Sequence, residues 1–303
     1  MTHHRILALC AIAALAMPAS AQARSCSDAI ATLRDALTSA PLAEVVQIQR
    51  NQVEPSCLGP QAAAAARAVA LRHVQEATRR ASPPERMTLL RDGLRFSAEP
   101  WQLHDALGDA LQAVGNFAGA TTHYQLAMNA ARDLAPGLAE PQRVALQALI
   151  GKAQQARLLS PVVIALPPTR DGTPGGLGLR SLRGVEVEAV AQPIHFLTDS
   201  DEPTPEGLAA IRQVQELLRA DGNPAITLVG HTDERGSDAH NDALSLRRAQ
   251  RVAAILIEGG YALGAIRVDG RGKREPFRVV QVPGVTYSRE QRLQLDRRVE
   301  LLR

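Results

Sequence analysis

The stretch that decides the fold is residues 230–237, Gly-His-Thr-Asp-Glu-Arg-Gly-Ser, together with what lies on either side of it. Before it, residues 224–232 alternate apolar and small polar side chains and include β-branched residues, which predicts a strand. After it, Ser237 is a favourable N-cap for an alanine- and leucine-rich run over 238–258, which Gly259-Gly260 closes. The local order is therefore strand, loop, long helix.

The helix over 238–258 carries one arginine on its apolar face. At about 100° per residue, Arg248 falls on the same face as Leu244, whereas Arg247 points away. A charge on that face needs an anion, because an unpaired buried charge is expensive. Two interpretations stay open: a structural salt bridge with an acidic residue of the preceding loop, such as Asp233, or a ligand carboxylate.

The loop and the helix resemble the signature of the OmpA C-terminal-like domain, a module that holds envelope proteins of Gram-negative bacteria to peptidoglycan. The matching residues are Gly230-His231-Thr232-Asp233, Gly236-Ser237, Asn241, Leu244-Ser245, Arg248-Ala249 and Val252. Pro193-Ile194-His195-Phe196 is similar to the family's opening strand, and Arg297-Arg298-Val299-Glu300 to its final strand. The resemblance implies a βαβαβ α/β sandwich over residues 185–303.

The resemblance also implies a ligand, the meso-diaminopimelate of the peptidoglycan stem peptide. In that family an aspartate takes the ammonium group of diaminopimelate and an arginine takes its carboxylate, and by position these residues are Asp233 and Arg248. Asn241 and Arg297 are expected in the pocket wall. Each charge-assisted hydrogen bond of this kind contributes roughly 1.5 to 3 kcal/mol, and a neutral pocket would not select a zwitterion in this way.

Two residues depart from the family's pattern. His240 stands where the family usually has tyrosine, and Asp296 where it usually has asparagine. His240 lacks the stacking ring but keeps a hydrogen-bonding edge. Asp296 adds a negative charge that is expected either to favour the ligand ammonium or to engage Arg297 and Arg298. These substitutions bear on specificity rather than on the presence of the module.

The start of the chain has the pattern of a secretory signal peptide. Residues 1–23 combine a positively charged start, an apolar run over 6–17 that is too short to span a bilayer, and the small-residue cleavage site Ala21-Gln22-Ala23. No later segment is apolar enough to predict a transmembrane helix. The mature chain is therefore expected in the periplasm and associated with the cell wall, with the outer membrane as a candidate location.

The cysteines predict a disulfide in the mature chain. Cys10 leaves with the signal peptide, so Cys26 and Cys57 are the remaining pair in an oxidising compartment. Predicted helices over 27–39 and 41–53, folded as an antiparallel hairpin, bring the pair together, and the bond stabilises by roughly 3 to 4 kcal/mol. The alternative is a lipid anchor on Cys26, but the residues before it match a lipidation motif poorly and Cys57 would lose its partner.

Residues 24–159 are predicted to form a helical, tetratricopeptide-like domain. Within 101–131, small and apolar residues resemble one such repeat, in which two helices turn at Gly115-Asn116. Residues 86–96 and 141–159 resemble helices of adjoining repeats, because a single repeat cannot bury its own core. Such stacks often present a groove to a partner protein, and a spacer without a partner is the alternative.

A proline- and glycine-rich stretch over 160–184 predicts a linker between the helical domain and the α/β domain of residues 185–303. The fold class expected for the whole chain is therefore α plus α/β. The formal net charge is +3 without a basic stripe, and aromatic residues make up 3% of the chain, which argues against a nucleic-acid partner.

The function that these patterns favour is non-enzymatic binding of peptidoglycan in the cell envelope. A second hypothesis is a periplasmic adaptor whose helical domain binds a partner protein while the α/β domain only tethers it to the wall. A third is a peptidoglycan-processing enzyme. The sequence contains no Gly-x-Ser-x-Gly, no phosphate-binding loop and no His-x-x-x-His, so no catalytic residue, metal site or cofactor is expected.

Overall fold

The computed structural model describes residues 25–132, 139–170, 172, 174–176, 185 and 189–302. The predicted signal peptide, residues 1–23, lies outside them, as does much of the second half of the predicted linker. The chain divides into two compact units, a first unit that ends at Ala62 and a second unit, Ala63–Arg303. Within the described residues, no helix combines the length and the apolar character needed to cross a bilayer.

The first unit is a helical hairpin closed by a disulfide. Its helices are α1 (Cys26–Ser39), α2 (Leu42–Ile48) and α3 (Glu54–Ser56), with a π-helical turn (Gln49–Val53) before α3. Ser25 caps α1, because its side chain accepts a hydrogen bond from Asp28 N. The disulfide joins Cys26 to Cys57, as the predicted hairpin requires.

Helices also dominate the first part of the second unit. They are α4 (Gly59–Thr78), whose first turn precedes Ala63, and α5 (Pro83–Leu94), α6 (Trp101–Ala113), α7 (Phe117–Arg132) and α8 (Glu140–Leu159). The predicted turn at Gly115-Asn116 joins α6 to α7. Gly108 allows these two helices to approach closely, because a Cβ there would lie 2.4 Å from Cε1 of Tyr124. We refer to α5 to α8 as the helical layer.

The α/β layer, residues 189–302, contains a four-stranded sheet. Its elements are β1 (Ala189–Gln192), α9 (Pro205–Ala220), β2 (Ile226–Gly230), α10 (Asp238–Glu258), β3 (Ile266–Gly270), α11 (Arg289–Asp296) and β4 (Val299–Leu302). The strand order is β1-β4-β2-β3. Strands β2 and β3 are parallel, and β4 is antiparallel to both β1 and β2. The predicted βαβαβ order is present from β1 to β3. Helix α11 follows, and β4 is the fourth strand of the sheet.

The opening strand lies earlier than the resemblance implied. It covers Ala189–Gln192 rather than residues 193–196. Pro193 has no N–H to donate to a neighbouring strand, which favours the end of the strand at this point. Further along, Phe196 makes only an isolated bridge with Pro203. The segment after β1 is therefore a loop, and this loop contributes to the candidate site.

One apolar core runs through both layers of the second unit. Buried Leu107 and Leu149 of the helical layer belong to the same cluster as Leu228 of β2 and Leu256 of α10. The predicted linker limits, 160 and 184, stay a prediction, because much of that stretch lies outside the described residues.

Candidate functional site

A cleft of about 780 Å³ opens in the α/β layer beside the loop that joins β2 to α10. Its walls come from the loop after β1, the start of α9, the β2–α10 loop, α10 and α11. Its lining includes Phe196, Asp199, Glu206, Asp233, Arg235, Asn241, Arg248, Glu290, Gln294 and Arg297. Pro161, which follows α8, also lines the cleft. The cleft therefore combines segments that are far apart in the sequence.

Two glycines allow α10 to take its position beside the cleft. A Cβ on Gly230 would lie 2.0 Å from the carbonyl oxygen of Ser245, so only glycine lets the end of β2 lie this close to α10. Gly236 has a φ of 90°, which favours glycine, and it turns the chain into the helix. Ser237 then caps α10 by accepting a hydrogen bond from His240 N. Consequently the buried face of α10, with Asn241 and Arg248, meets the cleft.

Asp233 is a buried carboxylate held by two arginines. Its Oδ1 accepts from Arg235 N at 3.0 Å, and its Oδ2 accepts from Nη2 of Arg235 at 2.7 Å and from Nη1 of Arg297 at 2.9 Å. Burial alone would raise the pKa of Asp233, but the hydrogen bonds from Arg235 and Arg297 outweigh it, so the pKa is lowered. The carboxylate is therefore ionised at neutral pH.

Arg248 is a buried guanidinium without a carboxylate partner among the described residues. It is 6% exposed. Its Nε donates to the carbonyl oxygen of Ser200 at 2.9 Å, and its guanidinium carbon lies 4.9 Å from the centre of the Phe196 ring. Burial and the nearby charge of Arg297 lower the pKa of Arg248 to about 10, although the charges of Asp233, Asp199 and Asp201 act in the opposite direction. The open alternative of an Asp233–Arg248 salt bridge is wrong, because Asp233 bonds to other arginines instead.

The other two predicted residues of the pocket wall also line the cleft. Asn241 is buried, and its Nδ2 donates to the carbonyl oxygen of Arg235 at 2.8 Å. Arg297 bridges two carboxylates, since its Nη1 bonds Asp233 and its Nη2 donates to Oε1 of Glu290 at 2.8 Å. The structure thus brings all four predicted residues to one cleft, and their contact with a ligand stays a prediction.

The two departures from the family's pattern have different surroundings. His240 lines the cleft, and its Nε2 lies 2.7 Å from Oδ1 of Asp199. Asp296 turns to Phe277, whose backbone N–H donates to its Oδ1 at 2.8 Å, and burial raises the pKa of Asp296. In this arrangement Asp296 is not among the described residues that line the cleft. The expected side-chain pairs of Asp296 with Arg297 and Arg298 are likewise not formed among the described residues.

Arg235, Glu290 and Gln294 also line the cleft, and sequence reasoning missed all three. Arg235 makes the shortest bond to Asp233; a cation two residues after the key aspartate was a signal that would have suggested this pair. Gln294 lines the cleft and donates from its Nε2 to the carbonyl oxygen of Leu158 in α8 at 2.8 Å. No local pattern indicates that contact, because the two residues are 136 positions apart.

Residues 195–285, which contain most of the cleft, match the OmpA family. The chain is 40% identical over 81 residues to Outer membrane protein A of Bordetella avium, a match that covers 26% of this chain and 42% of that protein. It is 34% identical over 107 residues to the Peptidoglycan-associated lipoprotein of Pseudomonas putida, which covers 35% of this chain and 60% of that protein. The chain thus spans about half the length of the curated relatives it matches.

Among solved structures, the peptidoglycan-associated lipoprotein from Burkholderia pseudomallei is similar with 24% sequence identity and a TM-score of 0.31. That match covers 39% of this chain and 91% of the other.

Proposed function

We propose that this protein is a non-enzymatic cell-envelope protein that lies in the periplasm and binds peptidoglycan non-covalently. The proposal rests on the match of residues 195–285, which contain most of the cleft, to the OmpA family. The relatives named Peptidoglycan-associated lipoprotein and Outer membrane protein A also support it. Placement beside the outer membrane belongs to the same proposal.

The ligand that we infer for the cleft is the meso-diaminopimelate of the stem peptide. One observation carries this inference: the buried guanidinium of Arg248 has no carboxylate partner among the described residues, and it lines the same cleft as the ionised carboxylate of Asp233. An amino-acid head group presents a carboxylate for Arg248 and an ammonium for Asp233. Such a ligand supplies the counter-charge that a buried cation needs.

The ammonium of the ligand must share or replace the present partners of Asp233. Arg235 is the partner suited to leave, because its side chain is 58% exposed and exposed ion pairs contribute little to stability. Arg297 is better held, since it also bonds Glu290. We therefore expect Arg235 to move aside on binding while Arg297 stays beside the carboxylate.

Co-sedimentation with purified peptidoglycan sacculi tests this function. Arg248→Ala should weaken pelleting at least about tenfold, because one charge-assisted hydrogen bond contributes roughly 1.5 to 3 kcal/mol. Arg247→Ala is the matched control, since it removes the exposed arginine that directly precedes Arg248 in α10. Circular dichroism checks that both variants fold. A wild type that does not pellet, or an Arg247→Ala defect equal to that of Arg248→Ala, would contradict the proposal.

The identity of the ligand needs a separate comparison. Sacculi with lysine in place of diaminopimelate lack the second carboxylate and, with it, the zwitterionic head group at the end of that side chain. The wild type should pellet with diaminopimelate sacculi and much less with lysine sacculi. Equal pelleting with both kinds of sacculi would support wall binding but would exclude diaminopimelate as the group that is recognised. Binding of a partner protein by the helical layer, the adaptor hypothesis, stays a prediction from the repeat pattern.

A further inference from the structure

The last turn of α8 contacts α11, which forms one wall of the cleft. The carbonyl oxygen of Leu158, in the last turn of α8, accepts the 2.8 Å hydrogen bond from Gln294 of α11. Pro161, two residues beyond the helix, lines the cleft itself. The helical layer therefore reaches the wall that α11 provides.

A second contact joins α8 to the segment that leads into α11. Gln155 of α8 is fully buried, and its Nε2 donates to the carbonyl oxygen of Val280 at 3.0 Å and to the hydroxyl of Tyr287 at 3.1 Å. The Oε1 of Gln155 accepts from the backbone N–H of Val280. Tyr287 directly precedes Ser288, the N-cap of α11. The side chain of Gln155 thus fixes the chain immediately before the helix.

Apolar packing closes the space around these hydrogen bonds. Leu158 and Leu159 of α8 form one buried cluster with Tyr287 and with Leu295 of α11. Buried amide groups that lose their partners in such surroundings are costly, so the geometry of the contact is strongly specified.

We propose that α8 is a positioning element for the cleft: through Gln155 and Leu158 it holds α11, and with it Glu290, Gln294 and Arg297, in the arrangement that the ligand needs. This inference rests on the proposed function of the cleft. It makes the helical layer a determinant of ligand affinity rather than a separate spacer. Gln155 acts through α11 and does not line the cleft, so it is a positioning residue.

A pair of adjacent glutamines provides the test. Gln155→Met removes the bonds to Val280 and Tyr287, whereas Gln154→Met removes bonds from the same helix to β1, where Gln154 Oε1 accepts from Ala191 N at 3.2 Å. Calorimetry with a soluble stem peptide that contains diaminopimelate should give a dissociation constant raised at least about fivefold for Gln155→Met. The constant for Gln154→Met should stay within about twofold of that of the wild type.

Hydrogen exchange separates positioning from general loss of stability. Amides of residues 289–296 should exchange faster in Gln155→Met than in the wild type, and not in Gln154→Met. Leu103→Ala is a further control, because it opens a cavity in the helical layer at a fully buried residue that is not in the cluster between α8 and α11. It should lower stability while leaving the dissociation constant unchanged. If Gln155→Met does not fold, Tyr287→Phe removes the hydroxyl that accepts from Gln155 of α8 and from Gln112 of α6, and it should shift both readouts in the same direction.

The possible outcomes separate the two proposals. If the wild type binds, Arg248→Ala does not, and Gln155→Met matches the wild type in affinity and in exchange, then α8 does not position α11 and the inference is overturned while the function stands. If the wild type fails to bind, the proposed function is lost, and unchanged exchange in α11 of Gln155→Met would overturn the positioning role as well.

Discussion

The charged side chains around Lys152 in the helical layer and those around Asp233 in the cleft are paired in opposite ways. In the helical layer one cation, Lys152, serves two carboxylates: its Nζ donates to Oδ1 of Asp109 at 2.9 Å and pairs with Asp105 as well. These ion pairs join α8 to α6. Burial, reinforced by the charge of Asp109 and opposed by that of Lys152, raises the pKa of Asp105 to about 6.

In the cleft one buried carboxylate, Asp233, lies among cations instead. Arg297 bonds it directly, and Arg248 lines the same cleft without a carboxylate partner among the described residues. The cleft is open, so an anion can enter from outside. A packed cluster with more carboxylates than cations can take up a proton, whereas an open cleft with a buried guanidinium that lacks a carboxylate partner can bind the carboxylate of a ligand. This difference separates a structural charge cluster from a binding site.

The largest change in the free energy of unfolding is expected on replacement of Lys152, which pairs with Asp105 and Asp109. Lys152→Met would remove a buried cation from the half-buried Asp105 and Asp109, and breaking a buried ion pair costs about 3 to 5 kcal/mol. The cation also lies 5.4 Å from the centre of the Tyr124 ring, a contact that is lost as well. Urea unfolding measures the change in the free energy of unfolding.

The control for Lys152 is the other lysine of the chain, Lys273. Its Nζ lies 2.9 Å from Oδ1 of Asp238, whose side chain is 82% exposed, and exposed ion pairs contribute about 0 to 1 kcal/mol. Lys273→Met should therefore change stability little. A loss of less than about 1 kcal/mol for Lys152→Met would show that the ion pairs of Lys152 with Asp105 and Asp109 do not stabilise the fold.

A smaller effect follows from the raised pKa of Asp105. The folded pKa of about 6 lies above the value of about 3.9 for an unfolded chain, so the folded state binds this proton more tightly. The contribution of Asp105 to stability is therefore greatest below about pH 4 and is lost as the pH rises to about 6. Asp105→Asn lacks this titration, so the stability of the wild type relative to the variant should fall over that range. Urea unfolding of both proteins at several pH values would reveal it; a relative stability that is constant or rises with pH would exclude the titration.

Local patterns predicted the elements that carry the cleft. The helix expected over 238–258 is α10, with Ser237 as its N-cap and Gly259 after its last residue. Helical periodicity also placed Arg248 on the buried face and Arg247 on the exposed face, as observed. These features depend on residues within a few positions of each other, which is why one sequence was sufficient.

Contacts between distant segments could not be predicted in this way. Gln155 and Val280 are 125 positions apart, and no periodicity relates a buried glutamine to a particular backbone segment. The direction of Asp296 was also inaccessible, because it depends on the free N–H of Phe277 in a loop 19 positions earlier. The sequence indicated which residues line the cleft from α10, but not how α11 is held against it.

The smallest change in stability, and the sharpest test of the comparison, comes from two buried arginines. Arg157 of α8 resembles Arg248: it is 6% exposed, it bonds Oε1 of Gln213 at 3.2 Å, and no carboxylate of the described residues pairs with it. Burial lowers the pKa of Arg157 to about 10, but this residue does not line the cleft. Replacing either arginine by methionine should leave the free energy of unfolding within about 1 kcal/mol of that of the wild type or raise it, because a buried charge without its counter-charge is removed. Only Arg248→Met should lose sacculus binding. If Arg157→Met lost binding equally, the location of Arg248 in the cleft would not explain its effect, and the assignment of Arg248 to the ligand carboxylate would be contradicted.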